Sequence, residues 1–209
     1  CPTAHARRDA TRRRPVGRAM PRTQPLRTRY ERDLARALED ASAPRRTTVG
    51  SPRGWLLDPG AVDLVEPFRT TGPADAGDLA RFAGLDGETA GALLSLVDPV
   101  DLDDRQNDAP TLATLLRSAA AHPEEVEVQG YLVGPARVDE RITATGLFAY
   151  VAPDLDVTPG HHLSCECEHL LRVVRHDLGV DDAVRMPDVI ARTLNPWRPY
   201  EPCWSLWWD

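Results

Sequence analysis

The sequence of 209 residues is 42% apolar and 27% charged, which is enough apolar material for one compact domain or for a small domain with an appended helical part. No stretch approaches the roughly 20 apolar residues that a membrane-spanning helix needs, so the sequence excludes a protein that crosses the membrane with such a helix. The four cysteines do not have the pattern of a disulfide framework, and we therefore expect a cytoplasmic location.

Charge is distributed unevenly along the chain. Residues 1–53 contain 14 Arg against 5 acidic residues, a net charge of +9, and the remainder contains 11 Arg against 27 acidic residues, a net charge of −16. A basic segment can bind phosphates, anionic lipids or the acidic part of its own chain, whereas the acidic remainder of the chain repels phosphates. Nucleic acid is therefore a disfavoured partner, and a protein of unknown identity is the favoured one.

The first half of the chain is predicted to be helical after a basic arm, residues 1–26, which lacks periodicity and is expected to be disordered. Residues 55–68 are apolar but interrupted, and no element type is assigned to them. The 3.6-residue spacing of apolar side chains predicts helices at residues 27–41, 74–83, 87–97 and 111–121.

After Pro123 the apolar period changes to two. Val126, Val128 and Leu132 alternate with polar or aromatic residues, which predicts a half-buried strand, and residues 141–151 predict the next strand of an antiparallel hairpin. Helices are predicted at residues 164–179 and 187–195, and a final strand or extended aromatic segment at the C-terminus.

These elements predict an α+β fold, with a helical N-terminal half followed by a small antiparallel sheet packed against helices. The predicted organisation is a disordered basic arm at 1–26, a helical region at 27–122, and an α+β domain at 123–209 that contains the hairpin and the aromatic C-terminal segment.

Residues 78–94, DLARFAGLDGETAGALL, resemble the helix-turn-helix of bacterial repressors. The motif needs an apolar residue and an alanine on its first helix, a small residue and a glycine at its turn, and apolar residues on its second helix. The matching residues are Leu79, Ala80, Ala83, Gly84, Leu85, Ala90 and Leu93. The resemblance implies that the second helix enters the major groove of DNA.

That second helix is poor in groups that bind DNA. It contains neither Arg nor Lys, and Asp86 and Glu88 carry negative charge. Because phosphate contacts supply much of the affinity for DNA, a structural role for the motif is favoured over recognition. Should the chain bind DNA, the candidate contacts are Arg81, Glu88 and Thr89, together with the basic arm.

The segment HHLSCECEHL concentrates three histidines and two cysteines. On a helix that includes Cys165, that thiol and His169 lie one turn apart and can reach one ion, with His161 or His162 as a third ligand. Cys167 instead belongs to an apolar stripe that continues through Leu170, Leu171, Val174 and Leu178. Since the spacing matches no usual zinc motif, we expect no cofactor, and zinc held by these residues is the alternative.

The final segment, WRPYEPCWSLWWD, contains four of the five tryptophans. Buried, they close the core against the hairpin and the preceding helix. Exposed, Trp204, Trp207 and Trp208 form a surface for a partner, because tryptophan dominates binding hot spots. Core packing is the favoured use, because a terminal strand often completes a sheet.

No complete catalytic set is recognisable in the sequence. It has no nucleophile in a glycine-rich elbow, no phosphate-binding loop and no dinucleotide fingerprint. We therefore expect a non-catalytic binding or interaction module rather than an enzyme. The alternatives are a DNA-associated regulator that uses residues 78–94, and a zinc-binding protein or metal-dependent enzyme that uses Cys165 and His169.

Overall fold

The structure, a computed structural model, describes residues 24–70, 79–158 and 164–209. Within these ranges it is a mixed α+β fold, as the sequence predicts. Its helices are α1 (Leu26–Glu39), α2 (Ala61–Val65), α3 (Gly87–Leu96), α4 (Pro99–Leu102), α5 (Leu112–Ala121) and α6 (Cys167–His176), with a 3-10 turn at Glu66–Phe68 after α2. The strands are β1 (Leu79–Leu85), β2 (Val126–Val133), β3 (Arg141–Ala149), β4 (Val189–Leu194) and β5 (Pro202–Trp207). Each described helix is too short or too polar to cross a bilayer.

The five strands form one antiparallel sheet in the order β1-β2-β3-β5-β4. The predicted hairpin of β2 and β3 is confirmed, with Val126 opposite Ala149 and Val133 opposite Arg141. The predicted final strand is also confirmed, because β5 lies between β3 and β4. Since β1 precedes residue 122, the sheet takes strands from both of the regions that the sequence predicts.

The prediction of a helix at 74–83 is wrong over the part that the structure describes. The predicted first helix of the helix-turn-helix is wrong for the same reason. These residues form β1, in which Ala80 and Phe82 are buried and Arg81 is exposed. Pairing with β2 overrides the helical propensity of leucine and alanine. The N-terminal half is therefore only partly helical. Residues 71–78 lie outside the described residues.

The helix predicted at 187–195 is also wrong, because its centre forms β4. Pro187 suits the start of a helix, but Val189, Ile190 and Thr193 are β-branched and favour extended backbone. β5 supplies the hydrogen-bonding partner for the whole of β4. Local periodicity does not reveal this pairing.

The other predicted helices are confirmed as α1, α3, α5 and α6. The hydroxyl of Thr111 accepts a hydrogen bond from the Thr114 backbone N–H at 3.2 Å and so caps α5. The apolar stripe of α6 is buried at Leu170, Leu171 and Val174. One continuous core of buried side chains joins the helices to the sheet.

Candidate functional site

A buried polar network joins β2 to the loop between β4 and β5. Its centre is Glu127 of β2, whose side chain is 9% exposed. The Tyr150 hydroxyl donates to Glu127 Oε2 at 3.0 Å, and the Asn195 side-chain amide donates to the same oxygen. Arg198 Nη1 lies 3.7 Å from Glu127 Oε1. Both carboxylate oxygens therefore have partners that come from distant parts of the chain.

Burial controls the protonation of this network. Burial raises the pKa of Glu127, and the hydrogen bond from Tyr150 and the charge of Arg198 act against that rise. Burial also raises the pKa of the Tyr150 hydroxyl, and the negative charge of Glu127 adds to the effect. Tyr150 therefore keeps its proton and remains a hydrogen-bond donor to the carboxylate.

Arg198 connects this network to the β4–β5 loop, residues 195–201. Its guanidinium stacks on the Tyr150 ring, with Cζ 3.7 Å from the ring centroid, and pairs with Glu201 at 2.7 Å. Arg198 Nη1 also donates to the carbonyl oxygen of Glu124 at 3.2 Å. One side chain therefore fixes the loop against the start of β2 and the end of β3.

Trp197 fixes the same loop against β1. Its indole Nε1 donates to the Ala83 carbonyl oxygen at 2.7 Å, and its backbone N–H donates to Asn195 Oδ1 at 3.1 Å. Gly84 has a φ of +69°, and a Cβ atom at this position would clash with the side chains of Trp197 and Asn195. The glycine that suggested a helix-turn-helix therefore allows the loop to approach the sheet.

The outer side of the β4–β5 loop is exposed and apolar. Tyr200 is 97% exposed, Trp197 is 39% exposed, and Leu194 at the end of β4 is 53% exposed. Pro196 and Pro199 are exposed as well, and each proline fixes its own φ angle. The loop thus presents large apolar side chains on a backbone that has few alternative conformations.

The network is better suited to positioning than to catalysis. Glu127 and Asn195 are almost completely buried, and the carboxylate is already surrounded by donors from its own chain. A substrate would have to displace these donors before it could reach the carboxylate. The arrangement can hold a loop in one conformation, and its buried groups leave only the outer side of the loop for contact.

A second feature is an open cavity of about 650 Å³ next to α1 and the segment at 52–59. Its apolar lining includes Leu34, Trp55, Leu57 and Leu96. The Arg53 guanidinium also lines it, but donates to the carbonyl oxygens of Pro135 and Ala136 at 2.8 and 2.7 Å. Arg27, Asp58 and Asp98 also line the cavity, and Arg27 is paired with Asp63 of α2, so both arginines of the lining already have partners within the chain.

The predicted metal site does not have the helical geometry that the sequence suggested. α6 begins at Cys167, so Cys165 lies before the helix and the one-turn relation to His169 is not formed. The Glu166 backbone N–H donates to the Asp156 carbonyl oxygen at 2.9 Å, and the Asp156 N–H donates to Glu166 Oε2 at 2.7 Å. These two bonds hold residue 166 outside the helix.

The other two candidate metal ligands, His161 and His162, lie outside the described residues. In the ranges that the structure describes, no three His, Cys, Asp or Glu side chains gather in a way that could hold a metal ion. Zinc binding by His161, His162, Cys165 and His169 stays a prediction.

The candidate DNA contacts lie on two different elements. Arg81 is exposed on β1, whereas Glu88 and Thr89 lie in the first turn of α3. The Thr89 backbone N–H donates to the Asp86 carboxylate at 3.0 Å, so this turn has an ordinary helix cap. The three residues do not share a recognition helix, and DNA binding by them stays a prediction.

Two of the three candidate tryptophans lie in the core. Trp204 and Trp208 are each 2% exposed, and their indole N–H groups donate to the carbonyl oxygens of Ala152 at 3.2 Å and Arg185 at 3.0 Å. Trp207 is half-buried on the opposite side of the strand. Only Trp207 of the three has side-chain surface left for a partner.

The network and the exposed loop do not follow from local sequence patterns. Alternation puts Glu127 on the polar side of a half-buried strand, and the helix predicted at 187–195 has Asn195 at its end. The signal in the sequence is the segment NPWRPY, in which each of two prolines is followed directly by an aromatic residue, between two β-rich stretches.

Comparison with known proteins assigns the chain to no family: no family model matches it, and no curated protein or solved structure matches it.

Proposed function

We propose that the chain is a non-catalytic protein-interaction module that contacts its partner through the β4–β5 loop. The observation that carries this proposal is Tyr200, which is 97% exposed on a loop whose base is fixed by the Glu127 network. Tyrosine and tryptophan are enriched in binding hot spots. A loop that is ordered before binding also loses less conformational entropy when the partner binds.

The chemistry around the loop favours a protein over a nucleic acid. Residues 54–209 have a net charge of −16, and the loop arginine, Arg198, is paired with Glu127 and Glu201. Phosphates would be repelled by such a body. Exposed aromatic and proline side chains instead match the apolar centre of a protein interface.

A photo-crosslinking amino acid at position 200 tests this proposal. A benzoylphenylalanine in place of Tyr200 should capture a discrete protein in extracts of the source cells. With that protein purified, Tyr200→Ala should weaken binding at least tenfold and leave the unfolding midpoint unchanged, because the side chain touches little of its own chain.

Val138 provides the matched control, because it is 40% exposed in the connection between β2 and β3. The same crosslinker at position 138 should not capture that protein, and Val138→Ala should not change its affinity. Equal capture at both positions, or an unchanged affinity in Tyr200→Ala, would contradict the proposal.

A further inference from the structure

The two edges of the sheet differ in how much of their backbone is already bonded. β1 forms one edge, and three of its carbonyl oxygens accept hydrogen bonds from groups outside β2. These bonds run from Arg29 Nη2 to Leu79 O at 3.2 Å, from the Thr70 N–H to Arg81 O at 2.9 Å, and from Trp197 Nε1 to Ala83 O at 2.7 Å. The pairing of β1 with β2 also shifts register between Phe82 and Leu85. Both features protect this edge against pairing with another strand.

β4 forms the other edge, and its outer side is open. It pairs with β5 over all six residues of Val189–Leu194 without a shift in register. Within the described residues, the backbone hydrogen bonds of β4 all go to β5. Alternate residues of such an edge leave their N–H and carbonyl groups unpaired, and a regular edge strand is a template for another strand.

The charges along this edge suit a second copy of the same strand. Asp188, directly before β4, and Arg192 lie on the same side of the strand as Ile190, which is halfway between them. Both charged residues are exposed, and neither forms an ion pair with any residue that the structure describes. When two copies of β4 pair antiparallel about a two-fold axis at Ile190, Asp188 of each copy lies opposite Arg192 of the other.

The neighbouring registers are less favourable. An axis at Arg192 would place two arginines opposite each other, and an axis at Ala191 would place Ile190 opposite Arg192. Of these three registers, only the one at Ile190 brings opposite charges together, and it does so twice. Because β1 protects the other edge, pairing stops at two copies and does not continue into a filament.

We propose that two copies of this chain associate through the outer edges of their β4 strands, which joins their five-stranded sheets into one antiparallel sheet. The Arg192 guanidinium lies 5.6 Å from the centroid of the Trp204 ring, and the Asp209 backbone N–H donates to Asp188 Oδ2 at 2.9 Å. Both charges are therefore held beside the edge before the copies meet.

This inference goes beyond the proposed function, because the contact uses the edge of β4 and none of the hydrogen bonds of the β4–β5 loop. Loss of the dimer would leave the loop amides and the exposed Tyr200 unchanged. A failure of the dimer is therefore distinguishable from a failure of crosslinking at position 200.

Sedimentation equilibrium of the full chain tests the association. Between about 5 and about 300 µM, the weight-average mass should rise from that of the monomer toward twice that value. Asp188→Arg and Arg192→Asp should each raise the dissociation constant about tenfold or more, because each change places like charges opposite each other at both ends of the contact. Arg117→Asp makes the same change of charge at an exposed position of α5, and it should leave the dissociation constant unchanged.

A mixture of the two edge variants tests the register itself. Chains with Asp188→Arg carry two arginines at the edge, and chains with Arg192→Asp carry two aspartates, so an equal mixture should dimerise as the wild type does. Circular dichroism establishes that each variant is folded. A wild type that stays monomeric at about 300 µM would overturn the proposal. A dimer that neither variant weakens, or a mixture of folded variants that stays monomeric, would overturn it as well.

Discussion

Three buried carboxylates act as anchors for loops in the part of the chain that the structure describes. Glu127 holds the β4–β5 loop, and Glu140 accepts hydrogen bonds from the backbone N–H groups of Gly54 at 2.6 Å and Leu56 at 3.2 Å. Asp101 accepts a hydrogen bond from the Ser51 hydroxyl at 2.6 Å. Burial of an ionised carboxylate is unfavourable unless donors surround it. The acidic residues of this chain therefore hold loops in place inside the fold, in addition to giving its surface a negative charge.

Glu127 should give the free energy of unfolding a distinct dependence on pH. Burial raises its folded-state pKa above the ordinary value of 4.5, so the folded state binds this proton more tightly than the unfolded state does. Its contribution to stability is full below pH 4.5 and is lost as pH rises through the folded-state pKa. Glu127→Gln should abolish this loss, which urea unfolding at pH 4 and pH 7 measures.

Val189 in β4 supplies the control, because it is 42% exposed and carries no titratable group. Val189→Ala should keep the wild-type dependence of stability on pH. A constant difference in stability between wild type and Glu127→Gln at pH 4 and pH 7 would show that Glu127 is not buried as described.

Among the elements, β1 depends on a glycine that no other residue can replace without strain. Gly84→Ala forces an alanine into φ +69° and against Trp197, so the free energy of unfolding should fall by about 2 kcal/mol or more. Gly91 in α3 has no atom within 4 Å of an added Cβ, so Gly91→Ala should raise stability by about 0.5 to 1 kcal/mol. Urea denaturation followed by tryptophan fluorescence measures both changes. Equal effects of the two substitutions would contradict the close approach of the loop to β1.

Sequence periodicity predicted the elements whose stabilising contacts repeat locally. The apolar stripe of α6 and the alternation of Val126 and Val128 in β2 are patterns of this kind. The spacing of apolar residues within β1 and β4 predicted helices, because it shows nothing of the strands with which they pair elsewhere in the chain. In both segments, pairing with a neighbouring strand outweighs the local helical pattern.

The candidate site was less predictable than the fold for the same reason. The burial of Glu127 depends on Asn195 and Arg198, which are more than sixty residues away in sequence. A pattern of alternate residues indicates only that Glu127 points away from Val126 and Val128. It does not indicate whether a loop covers that side of the strand.

At the scale of the whole molecule, the β4–β5 loop depends on long-range order. Its contacts reach Ala83 in β1, Glu127 in β2 and Tyr150 after β3, so the sheet must be assembled before the loop is fixed. The exposed Tyr200 is then held at one place relative to the entire sheet. A rigid, aromatic contact surface is consequently a product of the complete fold.

Amide hydrogen exchange in the β4–β5 loop tests most directly whether this loop is ordered before a partner binds. Three backbone N–H groups of the loop donate within it. That of Trp197 donates to Asn195 Oδ1 at 3.1 Å, and that of Arg198 donates to the Asn195 carbonyl oxygen at 3.0 Å. The N–H of Glu201 donates to the Arg198 carbonyl oxygen at 3.1 Å. We expect exchange at these three amides to be slowed strongly in the wild type and to be fast in Arg198→Ala, with Arg192→Ala, a change on the exposed part of β4, as the control. Exchange at the rate of an unstructured peptide in the wild type would contradict a loop that is ordered before it binds.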